Sequence, residues 1–292
     1  MEHDYILDRL KKVELLPTFP KIVGEVLRII EDPMSSAKDL AKHMDPSMVG
    51  EILRIANSAY YGTRNFRGIS TIEHAIAVVG YEHLSYIILH MPFVSMVNEN
   101  DKIFDRNGFV RHSIACGAIS NAISSSAFLG NPNEVYISGI MHDIGVIVIY
   151  RYFKDEWINI NSLIQKRHMT RLEAEQEVFS FDHGYIGAIL LELWNIPKSI
   201  TDSVRYHHNP ESAEENKENV TVTSLANTFA KQIDFEKDTV SFVDFMMTHK
   251  DFVEQIAKFK QNFVPNEEMK IFERIYEALK STKNYIEGII EK

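Results

Sequence analysis

Apolar residues recur at three- and four-residue intervals along most of this chain, and this spacing constrains the fold more than any other feature. Ile22, Val26 and Ile30 form one such stripe, and a second runs from Leu84 to Val94. A stripe with this period is the buried face of an α-helix. Only 13 Gly and 9 Pro occur among 292 residues, so long uninterrupted helices are favoured. The sequence therefore predicts an all-α protein built from many helices.

Polar residues at 98–102 separate a succession of short helices from a set of longer ones. We therefore predict an N-terminal helical lobe over residues 1–100, a second helical lobe over residues 101–235 and a C-terminal helical extension over residues 236–292. The extension could cap the core or form a dimer surface, because its periodicity fits both. In the second lobe, helices are predicted at 104–127, 133–151, 154–167, 171–178, 183–194, 197–208 and 219–232. In the extension, they are predicted at 242–259 and 266–290.

Local capping signals mark the start of two helices. Ser70 with Glu73, and Thr170 with Glu173, have the spacing of a capping box, in which the two side chains bond free backbone amides of the first turn. Gly80 is the predicted end of the first of these helices. A polar amide in an apolar helix, that of Asn57, is predicted to be buried and to bond backbone groups between the lobes.

Composition excludes several classes of protein. A formal charge of −10 and a pI near 5.7, with no basic stripe, argue against binding to nucleic acid. The single cysteine, Cys116, precludes an intrachain disulfide and suits a reducing cytoplasm. No apolar run approaches the roughly 20 residues that span a bilayer, and the chain starts without a signal pattern. We therefore expect a cytoplasmic protein that does not insert into membranes.

Nitrogen and oxygen donors are concentrated in the second lobe. They are His112, His142, Asp143, His183, His207 and His208, and they are followed by Asn227 where a carboxylate would complete the series. Adjacent side chains on a helix diverge by about 100°, so His142 and Asp143 make sense as a pair at a junction of several helices. Six such donors could hold two divalent ions, which is a known arrangement for phosphoester hydrolysis. Spacing alone favours a structural interpretation instead, in which His112 and His183 are hydrogen-bonded core residues, His207 and His208 form a solvated helix end, and Asp143 accepts bonds from nearby backbone.

Short motifs in a fixed order carry a resemblance to a known family. They are Leu16-Pro17, Asp45-Pro46, Leu53 to Tyr61, Ile69 to Ile72, Arg111-His112-Ser113, Gly139 with His142 to Gly145, Asp182-His183, Trp194 to Pro197 and Arg205 to Pro210. Over about three quarters of its length, the chain resembles the HDOD family. The resemblance implies an HD-like all-α fold, related to metal-dependent phosphohydrolases that include the HD-GYP cyclic di-GMP phosphodiesterases. It also implies a bacterial signalling module that is generally non-catalytic.

The same resemblance assigns roles to the donors. His112, His142 and Asp143 match the first metal-binding elements of the HD superfamily. The later histidines match those added in the HD-GYP branch, and these are His183, His207 and His208.

Two departures from the HD pattern count against hydrolysis. Asn227 stands where the final HD aspartate is expected, and a neutral amide is a weaker ligand than a carboxylate. Val146 stands where HD-GYP proteins commonly carry a lysine that could hold a substrate phosphate. We therefore expect a non-catalytic signalling protein that acts through a protein partner or a small ligand. The alternative is a metal-dependent phosphohydrolase acting on a phosphoester or cyclic dinucleotide. A bound divalent ion and no cofactor at all both remain open, as does the oligomeric state.

Overall fold

The computed structural model describes residues 2–11, 46–57, 68–80, 103–231 and 267–290, together with Gly24, Leu84, Ile88 and Leu89. These residues form helices and connecting turns, with no strand among them, which confirms the all-α prediction for this part of the chain. The predicted lobe boundary at 98–102 and the predicted helix at 242–259 lie outside the described residues. The α-helices are α1 (Glu2–Leu10), α2 (Pro46–Ala56), α3 (Ile72–Val79), α4 (Arg106–Ala127), α5 (Pro132–Met141), α6 (Ile144–Tyr152), α7 (Lys154–Arg167), α8 (Arg171–Phe179), α9 (His183–Leu193), α10 (Lys198–Tyr206), α11 (Lys217–Ala230) and α12 (Glu267–Ile290).

The helix predicted over 133–151 is wrong in one respect, because it is interrupted at His142 and Asp143. These two residues separate α5 from α6, and Asp143 leaves the helical region with φ −97° and ψ 12°. The backbone amide of Val146 donates a hydrogen bond to the carbonyl of Asp143 at 2.9 Å, in the first turn of α6. The break turns the chain so that both neighbouring side chains face the same helix junction, which an uninterrupted helix would not allow.

Two of the predicted helix starts have different outcomes. The capping box of Thr170 and Glu173 is confirmed, with both reciprocal bonds formed at the start of α8. At α3 the cap is Thr71, whose hydroxyl accepts from the amide of His74 at 3.1 Å, so the predicted role of Ser70 is wrong. Gly80 ends α3 as predicted, with φ 87°, a value that glycine adopts without strain.

Asn57 bonds backbone groups, although not between lobes. Its amide donates to the carbonyls of Leu53 and Ile69, both at 2.7 Å, and accepts from the amide of Ile69 at 2.6 Å. It therefore joins the end of α2 to the segment before α3. The residue is exposed rather than buried as predicted.

Helix α4 is the central support of the second half, because it contacts α5, α11 and α12. It meets α5 at two glycines, where a Cβ on Gly139 would lie 2.7 Å from backbone atoms of Gly117. Such a close approach is open only to glycine, and it brings the two helices together near His112 and His142.

The C-terminal helix α12 packs on this support. Ile271, Phe272 and Ile275 are buried in an apolar cluster that also contains residues of α4 and α11. Fully burying one such side chain stabilises a fold by about 1.5–3 kcal/mol. The described part of α12 therefore caps the core, one of the two roles that its periodicity predicted.

A larger apolar cluster lies under α5, α6, α9 and α10, and it includes residues of α1, α2 and α3. Helix α1 packs on α9, and its Tyr5 hydroxyl donates to Glu156 at 2.9 Å. Among the described residues, no helix combines the length and the apolar character needed to cross a bilayer.

Candidate metal centre

The six predicted donors meet at one helix junction, around Asp143. They come from α4, from the turn between α5 and α6, from the first residue of α9 and from the end of α10. They form two groups, the first of His112, His142 and Asp143, and the second of Asp143, His183, His207 and His208. Within each group, one ligand atom of every member lies within 4.8 Å of the others. Asp143 belongs to both groups.

The first group surrounds one carboxylate oxygen. Oδ2 of Asp143 lies 3.0 Å from Nε2 of His142 and 3.6 Å from Nε2 of His112. The two imidazole Nε2 atoms are 3.1 Å apart. Oδ1 of the buried Asn227 lies 3.1 Å from Nε2 of His112, so the amide occupies the place of a fourth donor in this group.

The second group surrounds the other oxygen. Oδ1 of Asp143 lies 3.0 Å from Nε2 of His183 and 3.7 Å from Nε2 of His207. Nε2 of His208 is 3.0 Å from Nε2 of His183. Because its two oxygens face different groups, Asp143 would offer one oxygen to an ion in each group.

Hydrogen bonds behind the histidines aim their Nε2 atoms at this junction. Nδ1 of His142 donates to the carbonyl of Gly139, and Nδ1 of His207 donates to the carbonyl of Val204, each at 2.7 Å. A carbonyl can only accept, so Nδ1 holds the proton and the Nε2 lone pair of the neutral ring points at the junction. Outer bonds of this kind fix the tautomer of histidines that ligate metals.

His183 is held by a buried carboxylate instead. Oε2 of Glu175, on α8, accepts from Nδ1 of His183 at 2.6 Å and from its backbone amide at 2.9 Å. Glu175 is 0% exposed, and its other oxygen lies 3.8 Å from the guanidinium of Arg171. The capping box that starts α8 thus fixes the helix that supports a histidine eight residues further on.

The charges at the junction are strongly coupled. Burial would raise the pKa of the Asp143 carboxyl, but His142 and His183 hold it well below its ordinary value. Burial would lower the pKa of His183, but Glu175 and Asp143 raise it to about 10, and Asp143 likewise raises the pKa of His142. Asp143 is therefore ionised, and each of these two imidazoles carries a proton that a bound cation would replace.

The other three histidines of the two donor groups are neutral. Burial lowers the pKa of His112 to about 4 and that of His208 to about 3, with neighbouring positive histidines acting in the same direction. Burial and the charges of nearby histidines also hold the pKa of His207 well below its usual value. Neutral imidazole is the form that binds a metal.

One buried nitrogen atom indicates whether these residues suit a metal ion. Nε2 of His207 is inaccessible to solvent and makes no hydrogen bond with any described residue, and its Nδ1 already donates to the carbonyl of Val204. Such an atom costs free energy unless something binds it. Two ligands that each lie about 2.1 Å from one ion, at right angles, are about 3.0 Å apart, close to the separations seen here. The residues therefore fit divalent ions, and an imidazole-rich set favours Zn²⁺, Fe²⁺ or Ni²⁺ over Mg²⁺.

A cleft of about 690 Å³ opens onto this junction. At its base are His112, Asp143, His183 and His208, while His142 and His207 lie behind them. The remaining walls are partly aromatic and partly cationic, and they include Phe104, Phe109, Val146, Trp157, Arg171 and Lys231.

Several residues of this site carried no recognisable sequence signal. Glu175 lies among Glu173 and Glu177 in a helix with three alternating acids, and nothing in the spacing shows which one is buried. Arg171 and Lys231 stand outside every motif used in the sequence comparison. A weak signal existed for Glu175 alone, since one helical turn separates it from both Arg171 and Phe179.

Comparison with known proteins agrees with the architecture. The pattern of the HDOD domain matches residues 16–210. An uncharacterized protein of Treponema pallidum (strain Nichols) is 23% identical over 229 residues, which are 77% of this chain and 44% of that protein. The chain therefore spans less than half the length of this curated relative.

Solved structures resemble this one along nearly all of its length. An HDOD domain protein of unknown function from Geobacter sulfurreducens has a TM-score of 0.73 at 22% identity, covering 97% of this chain and 98% of its own. A proposed phosphohydrolase from Shewanella amazonensis has a TM-score of 0.63 at 20% identity, covering 92% and 97%. A proposed signal transduction protein from Marinobacter aquaeolei has a TM-score of 0.62 at 15% identity, covering 94% and 65%. At these identities the likeness concerns the fold, and it confirms the predicted HD-like architecture.

Proposed function

Since the chain belongs to the HDOD family, with the family pattern matching residues 16–210, we propose that it is a regulatory protein that binds divalent metal ions at Asp143 and holds a small anionic ligand over them. One observation carries the proposal, namely two donor groups that share Asp143 at the base of a cleft. In this proposal His112, His142 and Asn227 hold one ion, and His183, His207 and His208 hold the other.

Charge balance supports an anionic ligand. Two dications and a single carboxylate, Asp143, leave a formal charge of about +3 at the base of the cleft, because the other donors are neutral when they bind. A low-dielectric pocket with such a charge attracts anions. An aspartate in place of Asn227 would reduce this excess, so the amide favours tight retention of an anion.

Two residues argue for binding rather than turnover. Asn227 brings no charge to the first group, where its amide lies against His112. Val146 lines the cleft where the related hydrolase pattern has a lysine. We propose that occupancy of the cleft is passed to a signalling protein partner, in keeping with one structural neighbour's description as a proposed signal transduction protein.

Phosphoester hydrolysis is the second candidate, and the bridging position of Asp143 favours it. Two ions held by the two donor groups would supply Lewis-acid chemistry to a phosphoester. The chain's own residues would fix the ions and exclude water from the aromatic side of the cleft. One fold neighbour, described as a proposed phosphohydrolase, is consistent with this candidate.

Metal analysis and an activity assay separate the two candidates. The full chain is purified without chelator, its metal content is measured, and it is loaded with Zn²⁺, Fe²⁺ or Mn²⁺. Each form is assayed with bis(p-nitrophenyl) phosphate and cyclic di-GMP. The binding proposal expects about two ions per chain and no turnover above the Asp143→Ala variant. Sustained hydrolysis that Asp143→Ala abolishes would favour the enzyme, and failure to take up any of the metals would contradict both.

A further inference from the structure

The cation missing at Val146 has a counterpart on another helix. Lys231 follows the last residue of α11, and its backbone amide bonds the carbonyl of Asn227 at 3.2 Å. Lys231 therefore lies one turn beyond the donor Asn227 and lines the same cleft as Val146. This relation is not visible in the sequence, because Val146 and Lys231 are about 85 residues apart in the chain.

The position of Lys231 relates it to both donor groups. Lys231 lines the same cleft as His112 and His208. His112 belongs to the first donor group and His208 to the second. Lys231 therefore shares the cleft with one member of each half of the metal centre.

The side chain of Lys231 differs from that of Arg171, the second cation of the cleft, in its contacts with described residues. Arg171 stacks on the ring of Trp157 at 4.8 Å and faces Glu175 at 3.8 Å. Within the described residues, Lys231 forms no ion pair and no side-chain hydrogen bond. A lysine beside a strongly positive metal centre is unfavourable until an anion comes between them.

Part of the cleft wall is aromatic. Phe104 lies 5.6 Å from Phe109 and 5.9 Å from Trp157, measured between ring centroids, and all three line the cleft. Trp157 is only 6% exposed, and its indole nitrogen has no hydrogen-bond partner in the described part of the chain. This wall suits a flat unsaturated ring carried by the same ligand.

We propose that Lys231 binds the phosphoryl group of an organic phosphate whose planar ring packs on Phe104, Phe109 and Trp157. The inference rests on the proposed function, because the phosphoryl group would also face the metal ions. It deepens that function by naming the class of ligand, a phosphate ester of a ring compound. It also makes Lys231, at the end of α11, a ligand-binding residue, while the lysine position on α6 stays occupied by Val146.

Calorimetric titration of the zinc-loaded full chain tests the proposal, with inorganic phosphate, methyl phosphate and phenyl phosphate as probes. Lys231→Gln is expected to lower the affinity for all three phosphates by about tenfold or more, since it removes a charge-assisted hydrogen bond. Lys231→Arg should retain most of the affinity. Lys217→Gln is the matched control, because Lys217 is exposed at the opposite end of α11, and it should change nothing. Wild-type protein should prefer phenyl phosphate to methyl phosphate.

The metal content of every sample is measured beside its affinity, so the two proposals fail separately. Equal phosphate affinity in zinc-loaded wild type and Lys231→Gln would overturn the role of Lys231, as would a wild type that holds zinc but no phosphate. Equal affinity for methyl and phenyl phosphate would overturn the proposed packing of the ligand's ring on the aromatic residues. A wild type that takes up no metal contradicts the proposed function. In that case the inference stands only if Lys231→Gln still weakens phosphate binding by the chelator-treated chain.

Discussion

Replacing Glu175 with glutamine perturbs one half of the metal centre and leaves the other half intact. The carboxylate is fully buried and accepts from Nδ1 and the backbone amide of His183, at 2.6 and 2.9 Å. Glutamine preserves the shape and can still accept through its oxygen, but it removes the negative charge that makes the imidazole a stronger ligand. His142 and His207 rely on backbone carbonyls for the same purpose, so they do not feel the change.

The expected magnitude follows from the role of Glu175 behind the ligand. Loss of an outer carboxylate costs roughly 10- to 100-fold in metal affinity, which corresponds to about 1.4–2.7 kcal/mol. Only the ion held by His183, His207 and His208 should be affected. A titration with Zn²⁺ should therefore show one site of unchanged affinity and one weakened site.

Competition with a chromophoric chelator measures both sites in one experiment. Glu177→Gln is the control on the same helix, because Glu177 is a partly exposed residue whose described ion pair is with Arg167 at the surface. It should bind zinc as the wild type does. If Glu175→Gln bound both ions with wild-type affinity, the carboxylate would have no part in the metal centre. If both sites weakened equally while the melting temperature fell, its role would be in folding alone.

Four further outcomes follow from the same geometry. His142→Ala should remove zinc from the first group, whereas a residue that is merely hydrogen-bonded in the core would cost only about 1–3 kcal/mol in chemical unfolding with metal content unchanged. Asn227→Asp should tighten that ion, read by the same chelator competition, and a variant that stayed metal-free would rule out a nearly complete site. Zinc affinity should rise with pH up to about 10, because His183, with a pKa raised to about 10, and His142, with a pKa that is also raised, must lose protons to bind, and a flat profile would contradict this. Gly145→Ala should lower the melting temperature, since its Cβ would collide with the carbonyl of His183, whereas Gly50→Ala, with open space around it, should not.

The helical architecture was accessible from sequence because it depends on local signals. The Thr170 capping box and Gly80 each act within a few residues, and each marks the helix end that it predicted. The break at His142 and Asp143 has a different origin. A Cβ at Gly145 would lie 2.9 Å from the amide of Gly187, so contact between α6 and α9 sets the path of the chain there. No local signal records such a contact.

The candidate site divides in the same way. Its donors were found because metal chemistry restricts the residue types, and histidine is too uncommon for such a series to pass unnoticed. The residues behind and around them were missed because glutamate, arginine and lysine occur everywhere on helix surfaces. Glu175 differs from Glu177 only in which side of α8 faces the core. That distinction belongs to tertiary packing.

The two halves of the metal centre differ in the hydrogen bonding of their histidine nitrogens when no metal is bound. This difference predicts which half binds an ion first. In the first half, Nε2 of His112 lies 3.1 Å from the oxygen of Asn227, so a neutral imidazole can donate its proton there. In the second half, Nε2 of His207 is buried and has no hydrogen-bond partner among the described residues. An ion entering either half must displace hydrogen bonds, because Nε2 of His183 also lies 3.0 Å from Asp143 and from Nε2 of His208. Only an ion entering the second half also relieves the unsatisfied nitrogen of His207. The group of His183, His207 and His208 should therefore bind first, with Asp143 already ionised to receive the second ion.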